Sequence, residues 1–208
     1  DESSKKFFHL KVGKLLLANT PQDLIEEKVF DIVNQLNQAL DVTFDKEEKL
    51  TLAELNLIAG RKAKNSNAES TALKHFLIGL SILPENSWKD HYNLSFQLHK
   101  ETAYTEYTTG NFERGKQLFA TTLKNAVSNL DKAEIFSIEM NLYMTTGNFK
   151  RGIESGLNAL KILGLDLPAN QDELAGIVEK ESSEVRFALQ GRNIPELIEM
   201  ADVVDKEK

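Results

Sequence analysis

His9, His75, His91 and His99 are the only imidazoles in a chain that has no cysteine at all. Thiolate chemistry and thiolate metal sites are therefore excluded. None of the four histidines stands in an H-E-x-x-H arrangement, and no two are spaced as paired ligands one turn apart on a helix. His91 and His99 are more than two turns apart, too far for one ion. All four are read as structural or surface residues. Gly13-Lys14 looks like the end of a phosphate-binding loop, but Phe8 stands where the first glycine is needed and Leu15 where the hydroxyl is needed. The carboxylate pairs Glu26-Glu27 and Glu47-Glu48 read as exposed helix faces. Arg61, Lys62 and Lys64 are the densest cations, and they read as a solvated helix end beside the negative pole of the dipole. No G-x-S-x-G and no metal-ligand pair occur. No catalytic residue, no metal site and no cofactor are expected, and the chain is not expected to be an enzyme.

Composition narrows the class. At 41% hydrophobic and 27% charged residues, the 208-residue chain has an ordinary globular make-up. A net charge of −7 argues against a general nucleic-acid binder. No apolar run reaches the roughly 18 residues that a membrane span needs, so no membrane partner is expected. The missing cysteines fit a reducing, cytoplasmic compartment.

The elements that must position any site are organised by a phrase that occurs twice. Thr108-Thr109-Gly110-Asn111-Phe112-Glu113-Arg114-Gly115 returns as Thr145-Thr146-Gly147-Asn148-Phe149-Lys150-Arg151-Gly152, with an offset of 37 residues. Gly110 and Gly147 can take the left-handed conformation that ends a helix. Asn111 and Asn148 suit the cap of the next helix. Phe112 and Phe149 open that helix and can fold back onto the one before it. Gly115 and Gly152 fall where two helices must approach closely. Each copy is thus a helix, a tight turn and an antiparallel helix, the unit of a helical solenoid. The period is near the ~34 residues of a tetratricopeptide unit.

The rest of the chain reads as helices with Pro21, Pro84, Pro168 and Pro195 at their boundaries. Phe7 to Leu17 is expected to bury Phe8, Val12, Leu15 and Leu16. Thr20-Pro21 starts a helix whose buried face runs from Leu24 and Ile25 through Val29, Ile32, Val33 and Leu36 to Leu40. Asp45 with Glu48 is a capping box. Ala68 to Leu83 turns Leu73, Phe76, Leu77, Leu80 and Leu83 inward, and Trp88 to Tyr107 forms a single helix. Asp131 with Glu134 caps the next one. Asn170 with Glu173 and Asn193-Ile194-Pro195-Glu196 open the last two. The expectation is an all-α, right-handed, tetratricopeptide-like solenoid of about ten antiparallel helices.

Several stretches resemble the helical region of large bacterial multidomain signalling proteins. Those proteins join a serine/threonine kinase-like domain, a STAND/AAA-type ATPase, a tetratricopeptide-like segment, a GAF sensor and a histidine kinase. The matching stretches are His9-Leu10-Lys11-Val12-Gly13-Lys14-Leu15-Leu16-Leu17, Phe30-Asp31-Ile32-Val33-Asn34-Gln35-Leu36-Asn37 and Leu55-Asn56-Leu57-Ile58-Ala59-Gly60-Arg61-Lys62-Ala63. Gly156-Leu157 through Leu163-Gly164 to Leu167-Pro168 and Ala188-Leu189-Gln190-Gly191-Arg192 complete them. The resemblance is collinear from about residue 7 onward. It implies a linker helix over 1–18 that follows an ATPase module, repeats over 19–168, and capping helices over 169–208. It also implies a connecting or sensing segment of a larger kinase or ATPase. The helical sensor region of a STAND-type transcription regulator has a similar layout, and a plain structural spacer is the other alternative. The partner would be a protein, a flanking domain of the same chain or a small effector. Setting Gly110 and Gly147 on the tetratricopeptide turn makes Gln97, Lys100, Tyr104 and Tyr107 the groove-facing positions of one repeat. In the next they are Glu134, Ser137, Asn141 and Met144.

Overall fold

The computed structural model describes residues 1–41, 44–168, 171–189 and 191. Among the described residues it shows ten α-helices and no strand. No described helix is long and apolar enough to cross a membrane. The chain divides into two compact units, Asp1–Ala126 and Val127–Lys208.

In the first unit, α1 (Glu2–Ala18) packs on α2 (Ile25–Leu36), and α3 (Lys46–Asn65) pairs with α4 (Glu69–Ser81). A one-turn helix α5 (Ser87–Asp90) leads into α6 (Tyr92–Thr108), which pairs with α7 (Phe112–Asn125). The expected face of α2 is buried from Ile25 through Val29, Ile32 and Val33 to Leu36, while Leu24 is exposed in a short turn ahead of it. Thr20 does not cap that helix; its hydroxyl donates back to Leu16 O at 2.7 Å. The capping box of α3 is present, with Asp45 and Glu48 each accepting from the other's backbone N–H. Around it, one core gathers Ile32, Leu36, Leu52 and Leu55, and a second gathers Ala53, Ala72, Phe76 and Leu98. Between α3 and α4, Asn56 is buried and exchanges amide hydrogen bonds with Asn37 at 2.9 Å in each direction. His75 Nδ1 donates to Asn56 Oδ1 at 3.0 Å. A buried amide left unpaired would cost about 1–3 kcal/mol, so this triad fixes the register of the helices that supply it.

α1 buries a different face from the expected one. Leu10 and Gly13 are buried, and a Cβ at Gly13 would fall 2.5 Å from Leu36 Cδ2. Phe8, Leu15 and Leu16 are exposed and Val12 is half-buried. Apolar residues circle this helix, so periodicity alone does not choose between its sides. The Trp88–Tyr107 helix is likewise interrupted at His91, where the backbone leaves the helical region.

In the second unit, α8 (Asn129–Thr145) pairs with α9 (Phe149–Ile162), and α10 (Gln171–Leu189) follows. Ser128, not Asp131, caps α8: its hydroxyl accepts from Asp131 N at 3.0 Å. Asn170 and the segment 193–208 lie outside the described residues.

Both glycine turns form as expected. Gly110 has φ +93° and Gly147 φ +76°. Asn111 N donates to Glu106 O and Asn148 N to Tyr143 O, both at 2.8 Å, while Gly110 N and Gly147 N donate to Tyr107 O and Met144 O. These are the paired bonds of a Schellman terminator. Two further turns share the pattern. Gly164 (φ +93°) ends α9, with Leu165 N on Leu160 O. Asn67 (φ +56°) ends α3, with Ala68 N on Ala63 O.

One expectation about the turns fails. Asn111 and Asn148 precede their helices, but neither side chain makes a capping bond. Phe112 and Phe149 are 47% and 59% exposed. Phe112 folds back onto the preceding helix, its ring edge-on to Tyr107 at 4.9 Å, but stays half-exposed. The roughly 3–5 kcal/mol typical of a buried Phe→Ala change therefore does not apply to them.

Candidate functional site

The residues that the repeat alignment places in a groove fall into two groups. Gln97, Lys100 and Tyr104 lie half-buried along one side of α6. Tyr107 does not join them. It is buried, with its backbone against Gly115 and its ring against Phe112, and it serves the α6–α7 hairpin. Glu134, Ser137 and Asn141 are exposed along α8, as is Met144.

The α6 group is completed by side chains from α3 that spacing did not point to. Arg61 Nε lies 3.0 Å from Glu101 Oε1 and Lys64 Nζ 2.8 Å from Glu101 Oε2. Arg61 also donates to Gln97 Oε1. The Lys64 ammonium sits 4.0 Å from the centre of the Tyr104 ring, and the Lys100 ammonium 5.5 Å from that of Phe96. Three cations, one carboxylate, one amide and one tyrosine thus share the α3–α6 face. Burial by itself would push the Glu101 carboxyl up, but Lys64 and Arg61 outweigh it and hold it below the usual carboxylate range. The carboxylate is therefore ionised at neutral pH and fixes both cations in place.

Arg61, Lys62 and Lys64 are accordingly not a solvated helix end. Arg61 and Lys64 face α6. Lys62 turns to the opposite side, donates to the carbonyls of Glu26 and Glu27 at 2.8 and 2.7 Å, and lies 5.3 Å from the Phe30 ring centre. The available sequence signal was an opposite charge one repeat length away: Glu101 is 37 residues from Lys64 and 40 from Arg61.

The histidines are structural in geometry. His75 is buried in the amide triad. His99 donates from Nδ1 to Ser95 O at 2.8 Å and packs at a tilt against Trp88, with ring centres 4.6 Å apart. Burial pushes both imidazoles below their ordinary value, with Lys74 adding to the effect at His75. No group of three or more His, Asp or Glu suited to a metal ion occurs among the described residues.

The fold defines the chain only as an all-helical one of antiparallel hairpins, a class that by itself carries no particular function. No family model matches the chain, and no solved structure matches it. The hybrid signal transduction histidine kinase G of Dictyostelium discoideum is 26% identical over 192 residues. That alignment covers 81% of this chain and 6% of the length of that protein. The chain is thus distantly similar to a small part of a signal transduction histidine kinase. The relative is eukaryotic, so it lends no support to the expected bacterial setting.

Proposed function

We propose that this chain is a non-catalytic interaction and regulatory segment of a larger cytoplasmic signalling kinase, and that the α3–α6 face is where it meets a protein or a flanking domain. The observation that carries the reading is the face itself. Arg61, Lys64, Gln97 and Tyr104 are drawn from two hairpins, and one partly buried carboxylate orients the two cations, which in turn meet Gln97 and Tyr104. Prepositioned cations beside an aromatic ring give specific recognition at a low ordering cost. The finer fold reading, right-handed stacking of tetratricopeptide-like hairpins, belongs to the same proposal. Its support is the recurrence of one terminator geometry at Asn67, Gly110, Gly147 and Gly164. The distant histidine kinase similarity supports the signalling context. A serine/threonine kinase or STAND ATPase elsewhere in the complete protein, and a contribution from Glu134, Ser137 and Asn141, rest on the sequence resemblance.

The test is the combined replacement Arg61→Ala, Lys100→Ala and Tyr104→Ala in the complete protein, leaving the buried Tyr107 intact. The expected result is an unchanged melting temperature within a few degrees and a loss of stimulus-dependent phosphorylation output. An unchanged output with an intact fold would favour a plain spacer. Purified chain given magnesium and ATP should neither release phosphate nor label itself. Turnover abolished by a point substitution in this chain would overturn the non-catalytic reading.

A further inference from the structure

The hydrogen bonds of the α3–α6 face engage its acceptors and leave donors over. Glu101 Oε1 accepts from Arg61 Nε at 3.0 Å and Glu101 Oε2 from Lys64 Nζ at 2.8 Å, while Gln97 Oε1 accepts from Arg61 Nη2. On the donor side, Arg61 Nη1, Gln97 Nε2 and the Tyr104 hydroxyl have no hydrogen-bond partner among the described residues. Lys64 Nζ directs one hydrogen to Glu101 and lies over the Tyr104 ring, with donor capacity remaining. Two cations also share one carboxylate, so one positive charge is left unbalanced. A group that only accepts hydrogen bonds and carries one negative charge complements what remains, and a carboxylate is such a group. A phosphate monoester carries about −1.5 to −2 at neutral pH. Its second charge would be set against Glu101, which Lys64 and Arg61 keep ionised.

The donors form a row. Arg61 meets Gln97 at one end and Lys64 meets Tyr104 at the other, with Glu101 between them. Gln97 and Tyr104 are two turns apart on α6, about 10 Å along the helix. A single small acid cannot reach both ends, whereas three extended residues span that length at about 3.3 Å each. Glu54 is exposed two turns ahead of Arg61 on the same side of α3, so an acid belongs at the Arg61–Lys64 end of the face. We propose, resting on the reading of this face as an interface, that its partner is an extended acidic peptide segment. An Asp or Glu carboxylate of the segment is received by Arg61 and Lys64, and its main-chain carbonyls by the Gln97 amide and the Tyr104 hydroxyl. Glu101 already holds the two cations side by side, so little side-chain freedom is lost when the segment arrives.

The test is an NMR titration of the full chain with a tetraglutamate peptide blocked at both ends, beside blocked tetraglutamine and inorganic phosphate. Tetraglutamate should give saturable shifts at the Arg61 Nε–H and the Gln97 side-chain amide, should bind about tenfold or more tighter than tetraglutamine, and should weaken as salt is raised. Lys64→Gln should weaken that binding about tenfold. Lys62→Gln should leave it unchanged, because Lys62 lies on the opposite side of α3 against the Glu26 and Glu27 carbonyls. Equal binding of the two peptides, tighter binding of phosphate, or equal effects of Lys64→Gln and Lys62→Gln would each overturn the acidic partner. The interface itself is tested separately by the output of the Arg61, Lys100 and Tyr104 variant in the complete protein. Lost output there without tetraglutamate binding here would keep the interface and reject the acidic segment.

Discussion

The two copies of the Thr-Thr-Gly-Asn-Phe phrase build the same turn on different foundations. Both glycines take positive φ, and both asparagine amides close the terminator with a 2.8 Å bond. Beneath the first turn lies Glu106, which is only 1% exposed. Its carboxylate accepts from Asn111 Nδ2 at 2.7 Å and holds Arg114 Nε at 3.0 Å. Beneath the second turn the same position is Tyr143, and Arg151 lies 5.9 Å from its ring centre. One charge-assisted hydrogen bond and an ion pair to a buried carboxylate are replaced by a looser cation–π contact. The close approach differs in the same direction. A Cβ at Gly115 would fall 3.0 Å from Ala103 O and 3.1 Å from Tyr107 N, both backbone atoms. A Cβ at Gly152 would meet the Met144 thioether at 2.8 Å, with Met140 O further off at 3.4 Å. One local sequence therefore gives a rigid hairpin under the α3–α6 face and a softer one in the second unit.

The largest effect is expected at Glu106. Replacing it with alanine removes the side chain that ties Asn111 and Arg114 together and leaves a gap beneath the turn, and should destabilise the first unit by about 1–3 kcal/mol. Arg114→Ala should cost less, because Asn111 Nδ2 still donates to the buried carboxylate. Urea unfolding followed by Trp88 fluorescence reports on the first unit, because Trp88 is the only tryptophan in the chain. Equal losses for the two variants would remove Glu106 as the distinguishing feature.

Alanine at the two close-approach glycines sharpens the contrast. Gly115→Ala presses on backbone and should cost about 1–3 kcal/mol. At Gly152 the Met144 side chain can swing away, and the ~1 kcal/mol that alanine gains over glycine in a helix offsets the remainder. Valine at Gly110 or Gly147 provides the control. Neither Cβ would meet an atom within 4 Å, so each change should cost only the left-handed backbone penalty of about 1–2 kcal/mol. A marked difference between Gly110→Val and Gly147→Val would mean that the two turns are not equivalent locally.

Acid should separate the two units. His75 and His99, both in the first unit, have imidazoles pushed down by burial, so their neutral forms are favoured in the fold. Their contribution is complete above the ordinary histidine value of about 6.5 and is lost as pH falls through it. In the second unit, burial pushes the Glu139 carboxyl up. Its contribution is complete below the ordinary glutamate value of about 4.3 and fades as pH rises through the elevated folded value. Acidification from pH 7 to 5 should lower the Trp88-monitored midpoint while amide protection around Glu139 holds or rises. A parallel decline in both units would contradict these assignments.

The turns were legible in the sequence because a positive-φ position writes itself as glycine. The α3–α4 turn was not, because Asn67 takes the same conformation without the flanking phrase. Burial was legible on α2, which has one apolar side, but not on α1, which has two. The exposure of Phe112 and Phe149 was not legible, because an aromatic residue at a helix start reads the same whether or not a neighbour covers it. The site was half-legible. The repeat alignment found Gln97, Lys100 and Tyr104, but Glu101 and its partners Arg61 and Lys64 meet only through the packing of α3 on α6. Tyr107 shared the register of the groove residues and was claimed by the core.

Native-state hydrogen exchange at Asn111 and Asn148 compares the two foundations directly. Their backbone amides make the same terminator bond at the same length, so any difference in opening reflects what lies beneath. Slower exchange at Asn111 by about tenfold or more, equivalent to ~1.4 kcal/mol, is the predicted result, and that difference should vanish in Glu106→Ala. Equal protection in the unsubstituted chain, or faster exchange at Asn111, would contradict the account of a rigid first hairpin and a soft second one.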